Sequence, residues 1–143
     1  MWQQEFETET NSTKEKIWDL WSDVTNWNKW NAAVEYSYIN GNFQNGINGT
    51  FKLADGAESY FLFYKLIDCI PNKSFTKRIK LAFCIIDIGY KLCEENSKLK
   101  INHFIKIYGL LSFIHKKTIG ICMTKKMPVT VKKLVELAEK NNT

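Results

Sequence analysis

The sequence has 143 residues and a net charge of +5, and 14% of its residues are aromatic. A chain of this length buries roughly 68–70% of its unfolded surface, so we expect a single domain over residues 1–143. Nineteen of its twenty basic residues are lysines. Because nucleic-acid binding proteins rely on arginine for bidentate contacts, we expect no nucleic-acid partner and lysines that keep the surface soluble.

No run of eighteen apolar residues occurs, and the N-terminal segment is too polar for a signal peptide. We therefore expect no stable membrane insertion and a cytoplasmic location. The four cysteines lack the paired spacing of zinc and redox motifs and lie in apolar runs, at Cys69, Cys84, Cys93 and Cys122. This pattern predicts buried free thiols, with no metal and no cofactor.

The chain begins with a predicted strand from Trp2 to Thr10, in which uncharged residues alternate with glutamates. The next nineteen residues, from Ser12 to Trp30, hold four of the five tryptophans. Ser12 and Glu15 have the spacing of a capping box, which predicts a helix start there. One face of this helix carries the apolar residues Ile17, Leu20, Trp21 and Val24. A shorter helical segment is predicted to follow, up to Trp30.

Six further strands are predicted over residues 34–43, 49–53, 58–70, 73–81, 83–94 and 98–108, with a hairpin signal at Ala54-Asp55-Gly56. The last strand alternates most clearly, since lysines and Asn102 occupy one face and aliphatic residues the other. Because the lysines must reach water, His103 is predicted to face the interior. On the predicted strand over residues 58–70 the inward residues are Tyr60, Leu62, Tyr64 and Leu66.

The period changes after Leu110, where apolar residues recur with helical spacing at Met127, Val131, Leu134, Val135 and Ala138. The pattern predicts an amphipathic C-terminal helix. Pro128 has no amide hydrogen to donate, so a helix arriving from residues 112–124 is predicted to kink or restart there.

Four short motifs lie along this series of predicted elements. They are Ile17-Trp18-Asp19-Leu20-Trp21-Ser22-Asp23-Val24 in the first helix, then Trp27-x-x-Trp30, then Gly41…Gly46-x-x-Gly49, and Met127-Pro128 followed by Lys133 to Ala138 in the C-terminal helix. Together they resemble the START-like, or SRPBCC, superfamily, and most closely its polyketide cyclase/dehydratase-like branch. The resemblance implies an α+β helix-grip fold. In that fold a seven-stranded curved antiparallel sheet surrounds a long C-terminal helix, two short helices follow the first strand, and a deep apolar cavity remains between sheet and helix.

Relatives of this kind bind lipids, sterols, polyketides, plant hormones or quinones, and a minority are enzymes. The family has no universal catalytic motif, so no catalytic residue is assigned. The candidates for ligand binding are the residues expected to line the cavity: His103, Tyr64, Tyr90, Trp21, Trp27, Ile105 and Met127. The alternative is that these are ordinary core residues, with His103 and the tyrosine hydroxyls each satisfied by a backbone partner.

Lys77 shares its strand parity with the apolar residues Phe75 and Ile79, but a bulge or the strand end is expected to remove it from the interior. Three hypotheses for function follow. The chain binds a small hydrophobic or amphipathic molecule, it is a cyclase or dehydratase that uses His103 with Tyr64 or Tyr90, or it is a co-chaperone-like interaction module with an exposed apolar patch.

Overall fold

The computed structural model describes residues 1–54 and 61–140. Residues 55–60 fall outside that description, and with them most of the predicted hairpin signal at Ala54-Asp55-Gly56 and the inward position predicted for Tyr60. Within the described ranges, no helix combines the length and the apolarity that are needed to cross a bilayer.

Seven strands form one antiparallel sheet in the order β1-β7-β6-β5-β4-β3-β2. Their bounds are β1 (Trp2–Thr10), β2 (Val34–Ile39), β3 (Asn48–Leu53), β4 (Phe61–Ile70), β5 (Ser74–Leu81), β6 (Cys84–Glu95) and β7 (Lys98–Tyr108). The first and last strands, β1 and β7, are paired neighbours, and Trp2 lies opposite Ile107 and Thr10 opposite Leu99. Register shifts in β2 and β4 bend the sheet at its far side.

The helices are α1 (Lys14–Ser22), a 3-10 helix (Val24–Lys29), α2 (Ser112–His115), a π-helical turn (Lys116–Gly120) and α3 (Ile121–Lys140). The predicted helix-grip fold is therefore confirmed: a curled antiparallel sheet, two short helices after β1 and a long C-terminal helix. The buried face of α3 carries Met123, Met127, Thr130, Val131, Leu134 and Ala138. These residues cover the β1 and β7 side of the sheet, where α3 makes its sheet contacts.

Two local predictions are wrong by a short distance. The N-cap of α1 is Thr13, whose side-chain oxygen accepts a hydrogen bond from the Lys16 amide, so Ser12 is not the cap. Ser12 is instead buried against the end of α3, where its hydroxyl donates to the Ala138 carbonyl. The helix does not restart at Pro128 either, because α3 runs through it and the irregular turn lies earlier, at Lys116–Gly120. The alternative, a kink at Pro128, stays a prediction.

Candidate functional site

The interior between β3, β4, β5 and the 3-10 helix is filled by aromatic rings that centre on Trp27. Its indole stacks on Tyr64 at 5.9 Å and on Phe75 at 5.8 Å between ring centroids. Its position is fixed by a hydrogen bond, because Trp27 Nε1 donates to the Trp21 carbonyl at 2.7 Å. Among the residues predicted to line a deep cavity, Trp27 contacts Tyr64, and Tyr90 contacts both Trp21 and His103.

Lys77 points into this aromatic interior and is only 1% exposed. Three rings surround its ammonium group, with centroid distances of 4.1 Å to Phe51, 4.8 Å to Trp27 and 5.9 Å to Tyr64. We call these three rings the aromatic cage. The expectation that a bulge would turn Lys77 outward is wrong, because β5 pairs with β6 without interruption from Ser74 to Leu81 and so keeps Lys77 on the face of Phe75.

The Lys77 amine has no hydrogen-bond partner among the residues that the structure describes. Burial disfavours the charged form and lowers the pKa of this lysine from 10.5 to about 7. The surrounding ring faces attract a cation, which offsets part of that cost. An amine in this setting is divided between its charged and neutral forms near neutral pH.

His103 lies inside, as its strand parity predicted, and stacks on Tyr90 with a centroid distance of 4.0 Å and an angle of 1° between the rings. Its Nδ1 is 2.9 Å from the Gly89 carbonyl. Since a carbonyl only accepts hydrogen bonds, Nδ1 carries the proton and Nε2 keeps a lone pair. Burial, together with the nearby charge of Lys77, lowers the pKa of His103 to about 4, so the imidazole is neutral at pH 7.

The Tyr90 hydroxyl lies in a short polar chain that joins the sheet to α3. Asn31 Nδ2 donates to the Tyr90 hydroxyl at 3.5 Å, and the Thr130 hydroxyl donates to Asn31 Oδ1 at 3.4 Å. Asn31 also holds its own turn, because its Oδ1 accepts from the Ala33 amide at 3.0 Å. Burial raises the pKa of Tyr90 well above its ordinary value, so the hydroxyl stays protonated. Sequence reasoning missed Asn31 and Thr130, since nothing local marks a polar residue that becomes buried.

The Tyr64 hydroxyl has a backbone partner, because it donates to the Tyr38 carbonyl at 3.2 Å. The ring reaches that carbonyl by lying directly over Gly49. A Cβ at Gly49 would lie 2.2 Å from Tyr64 Cζ, so only glycine leaves room for the ring. Burial raises the pKa of Tyr64, as it does for Tyr90. Tyr64 therefore contributes a wall of the aromatic cage rather than a free hydroxyl.

The other predicted site residues, Trp21, Ile105 and Met127, are buried in the same hydrophobic core. Trp21 contacts the rings of Phe75 and Tyr90, so it belongs to the aromatic interior with Trp27. Its Nε1 and that of Trp30 are buried without a hydrogen-bond partner in the described part of the chain. Of the cysteines, Cys69 and Cys84 are buried as predicted, whereas Cys93 is exposed and Cys122 is only partly buried, so the prediction is wrong for these two.

The outer face of the sheet differs from this interior. Arg78 binds Asp87 through two hydrogen bonds of 2.9 and 2.8 Å and also donates to the Tyr108 hydroxyl at 2.8 Å. An open cavity of about 680 Å³ lies beside it on this face, lined in part by Tyr38, Phe63 and Lys65. In residues 1–54 and 61–140, no group of three His, Cys, Asp or Glu side chains is arranged to hold a metal ion.

The interaction-module hypothesis predicted an exposed apolar patch. Phe83 and Leu110 are 71% and 79% exposed, and their loops are joined because the Leu111 amide donates to the Phe83 carbonyl. Nothing in the described residues indicates what would cover these two side chains. The interaction-module hypothesis therefore has an exposed apolar pair but no partner that the structure identifies.

Comparison with known proteins places the fold. No protein-family model and no curated protein matches the sequence. Among solved structures, the Zhui aromatase/cyclase of Streptomyces sp. R1128 aligns with a TM-score of 0.75 at 10% identity over 99% of this chain and 96% of its own. A START superfamily protein of Mycobacterium smegmatis aligns at 0.70 and 11%, over 96% and 97%. Norcoclaurine synthase of Thalictrum flavum aligns at 0.72 and 12%, over 99% and 96%.

These likenesses span nearly the whole of each chain, and at such low identity they are evidence of fold alone. The chain has the START-like, polyketide cyclase-like fold that the sequence predicted. An aromatase/cyclase and a norcoclaurine synthase share this architecture, so the fold does not by itself indicate one function.

Proposed function

We propose that this START-like chain binds a small hydrophobic or amphipathic molecule, lipid-, polyketide- or quinone-like, between its sheet and α3. In this proposal it acts as a single cytoplasmic domain with no nucleic-acid partner. The site is formed by the residues singled out from the sequence, Trp21, Trp27, Tyr64, Tyr90, His103, Ile105 and Met127, with Lys77 added. The aromatic side chains that fill the interior move aside when the ligand enters.

One observation carries the proposal: three buried donors lie in one aromatic interior without an acceptor. They are Lys77 Nζ, Trp21 Nε1 and Trp30 Nε1, none of which has a hydrogen-bond partner among the described residues. Buried polar groups are nearly always paired in native proteins, so an unpaired set of this kind needs an explanation. An apolar ligand that carries oxygen acceptors, as polyketides and quinones do, would bury itself among the rings and satisfy the donors.

A hydroxyanthraquinone such as emodin tests the proposal, with binding measured by isothermal titration calorimetry. We expect saturable binding of one molecule per chain. Replacing Lys77→Met removes one charge-assisted donor and is expected to weaken binding roughly tenfold or more. The matched control is Lys80→Met, which removes an exposed lysine from the same strand and should leave the affinity unchanged.

Native mass spectrometry of protein purified from its own cells supplies an independent measurement. The proposal predicts a co-purifying small molecule that dissociates on unfolding. Absence of saturable emodin binding, together with protein that carries no small molecule from its own cells, would contradict it.

The second candidate is a cyclase or dehydratase, and the geometry of His103 is what favours it. The imidazole is neutral, its Nδ1 is occupied by the Gly89 carbonyl, and its Nε2 lone pair is available as a base. Tyr90 stacks against the same ring and supplies a protonated hydroxyl as the acid. In this hypothesis His103→Gln abolishes turnover of a bound polyketide while leaving its binding intact, which would separate catalysis from simple binding.

A further inference from the structure

We propose that the Lys77 amine forms an imine with the aldehyde or ketone carbonyl of an apolar ligand bound in the aromatic cage. This inference rests on the proposed function and makes it more specific, because it names the reactive group of the ligand and the atom that it meets. Nothing in the fold requires this reaction, so it has to be argued from the surroundings of Lys77.

Within residues 1–54 and 61–140, the contacts of Lys77 give its amine no structural role. No carboxylate among the described residues pairs with it, and its amine makes no hydrogen bond to them. The side chain instead ends between the rings of Phe51 and Trp27, at 4.1 and 4.8 Å from their centroids. A methionine or leucine would fill the same space without burying an amine, so the nitrogen itself calls for an explanation.

The Lys77 nitrogen is also nucleophilic. A lysine in water is almost wholly protonated at pH 7 and has no lone pair to donate. Desolvation of Lys77 lowers its pKa to about 7, so a large fraction of the amine is neutral at that pH. Burial in an apolar pocket is one of the recognised ways in which proteins turn lysine into a nucleophile toward carbonyl compounds.

The reaction needs no oxidant, reductant or cofactor. The amine nitrogen attacks the carbonyl carbon, a C–N bond forms, and the carbonyl π electrons move to oxygen, which gains a proton from nitrogen. The resulting carbinolamine transfers its second N–H proton to the hydroxyl and loses water as the C=N bond forms. Both amine protons leave in that water molecule, so the atoms balance.

The aromatic cage favours the product and selects the ligand. A neutral imine carries no charge to desolvate, so it suits an interior in which the side chain is 1% exposed better than an ammonium does. The same enclosure keeps out the water that would hydrolyse the imine. Walls made of Trp27, Phe51 and Tyr64 fit a flat apolar or aromatic carbonyl compound and disfavour a hydroxylated one.

Reductive trapping tests the inference on the intact folded protein. The protein is incubated at pH 7 with benzaldehyde and sodium cyanoborohydride, and the benzylated lysines are mapped by proteolysis and mass spectrometry. Lys77 is expected to be labelled at least about tenfold faster than the exposed Lys65 and Lys80, because desolvation leaves a large fraction of the Lys77 amine neutral at this pH. Unfolding in urea should remove that advantage.

Two controls make the result specific. Glyceraldehyde, an aldehyde too hydrophilic for the cage, should label the surface lysines without preferring Lys77. Lys77→Met should lose only the fast-labelled peptide, whereas Lys80→Met should keep it. Because the site mapping is done on the natural chain, the result does not depend on either variant folding.

The outcomes separate this inference from the proposed function. Labelling of Lys77 no faster than that of Lys80 in the folded protein overturns the imine, whatever the chain binds. If emodin binds but Lys77 is labelled no faster than Lys80, the chain binds its ligand without forming a covalent bond. Fast labelling of Lys77 without emodin binding would keep the imine and reject the quinone-like ligand class.

Discussion

Lys77 and Arg78 are neighbours on β5, but their side chains lie on opposite faces of the sheet and in different electrostatic surroundings. The Arg78 side chain lies on the outer face, about one third exposed, and is bound by Asp87 and Tyr108. Asp87 also accepts a hydrogen bond from the Tyr108 hydroxyl at 2.9 Å, so the cluster is closed on itself. Lys77 lies on the inner face, where its ammonium group is 4.8 Å from the Trp27 ring and 4.1 Å from the Phe51 ring.

The difference shows what a cation with a structural role looks like in this protein. The Asp87 carboxylate raises the pKa of Arg78 through its hydrogen bonds, whereas burial alone lowers the pKa of Lys77. The folded protein therefore stabilises the charge of Arg78, whereas burying the charge of Lys77 lowers the stability of the fold. A cost of this kind is common at functional sites, where a group is held ready for a ligand rather than satisfied within the protein.

The largest expected effect on the free energy of unfolding comes from removing the buried amine of Lys77. Lys77→Met fills the cage with an apolar side chain of similar length and no ammonium. The displacement of the pKa from 10.5 to about 7 corresponds to a few kcal/mol, and cation–π attraction offsets part of it. We expect the free energy of unfolding at pH 6 to rise by ~3 kcal/mol, measured by urea denaturation. A loss of stability would mean that the ammonium is satisfied in the folded protein.

The second expectation concerns pH. The folded pKa of Lys77 lies below its ordinary value, so between pH 7 and about pH 8 the unfolded chain binds more protons than the folded one. Stability must therefore rise with pH in this window, by up to about 1.4 kcal/mol per pH unit. Lys77→Met should remove this slope and Lys80→Met should keep it, in urea denaturation at half-unit steps. His103 and the buried tyrosines have shifts that act below pH 6.5 and above pH 10. Burial raises the pKa of Cys69 and Cys84 from 9.0, which lowers stability as the pH rises above about 8, so the test stays below that pH.

The sequence predicted the fold well because its signals are local and repeated. The alternation of β1 and β7 places both strands at the predicted bounds, Trp2–Thr10 and Lys98–Tyr108. The prediction was less accurate where tertiary contacts decide. β2 ends at Ile39, before the predicted Phe43, and Phe43 turns inward to pack on Trp18 and Phe75. Pro128 stays helical because α3 is held by a long buried face rather than by its own hydrogen bonds alone.

The site was predicted only in part, for a physical reason. Strand parity placed His103 inside, since lysines fix the outer face of β7. The same parity placed Lys77 inside, but the ordinary cost of burying a lysine favoured a bulge that does not exist. No pattern along the chain indicates which charged residue a sheet will leave unpaired. That information comes from the rings of Trp27 and Phe51, which are distant in sequence and meet only in the folded protein.

An effect smaller than that of Lys77→Met, and of the opposite sign, is expected on the outer face. Arg78→Met should lower the free energy of unfolding at pH 7 by ~2 kcal/mol, because it leaves the Asp87 carboxylate mostly buried with Tyr108 as its remaining donor. The double variant with Asp87→Asn should recover part of this loss, since the unpaired charge is then removed. Urea denaturation of the natural chain, of Arg78→Met, of Asp87→Asn and of the double variant gives the coupling energy directly. If Arg78→Met stabilised the protein as Lys77→Met is expected to, the two cations would be equally unsatisfied and the special role of Lys77 would be lost.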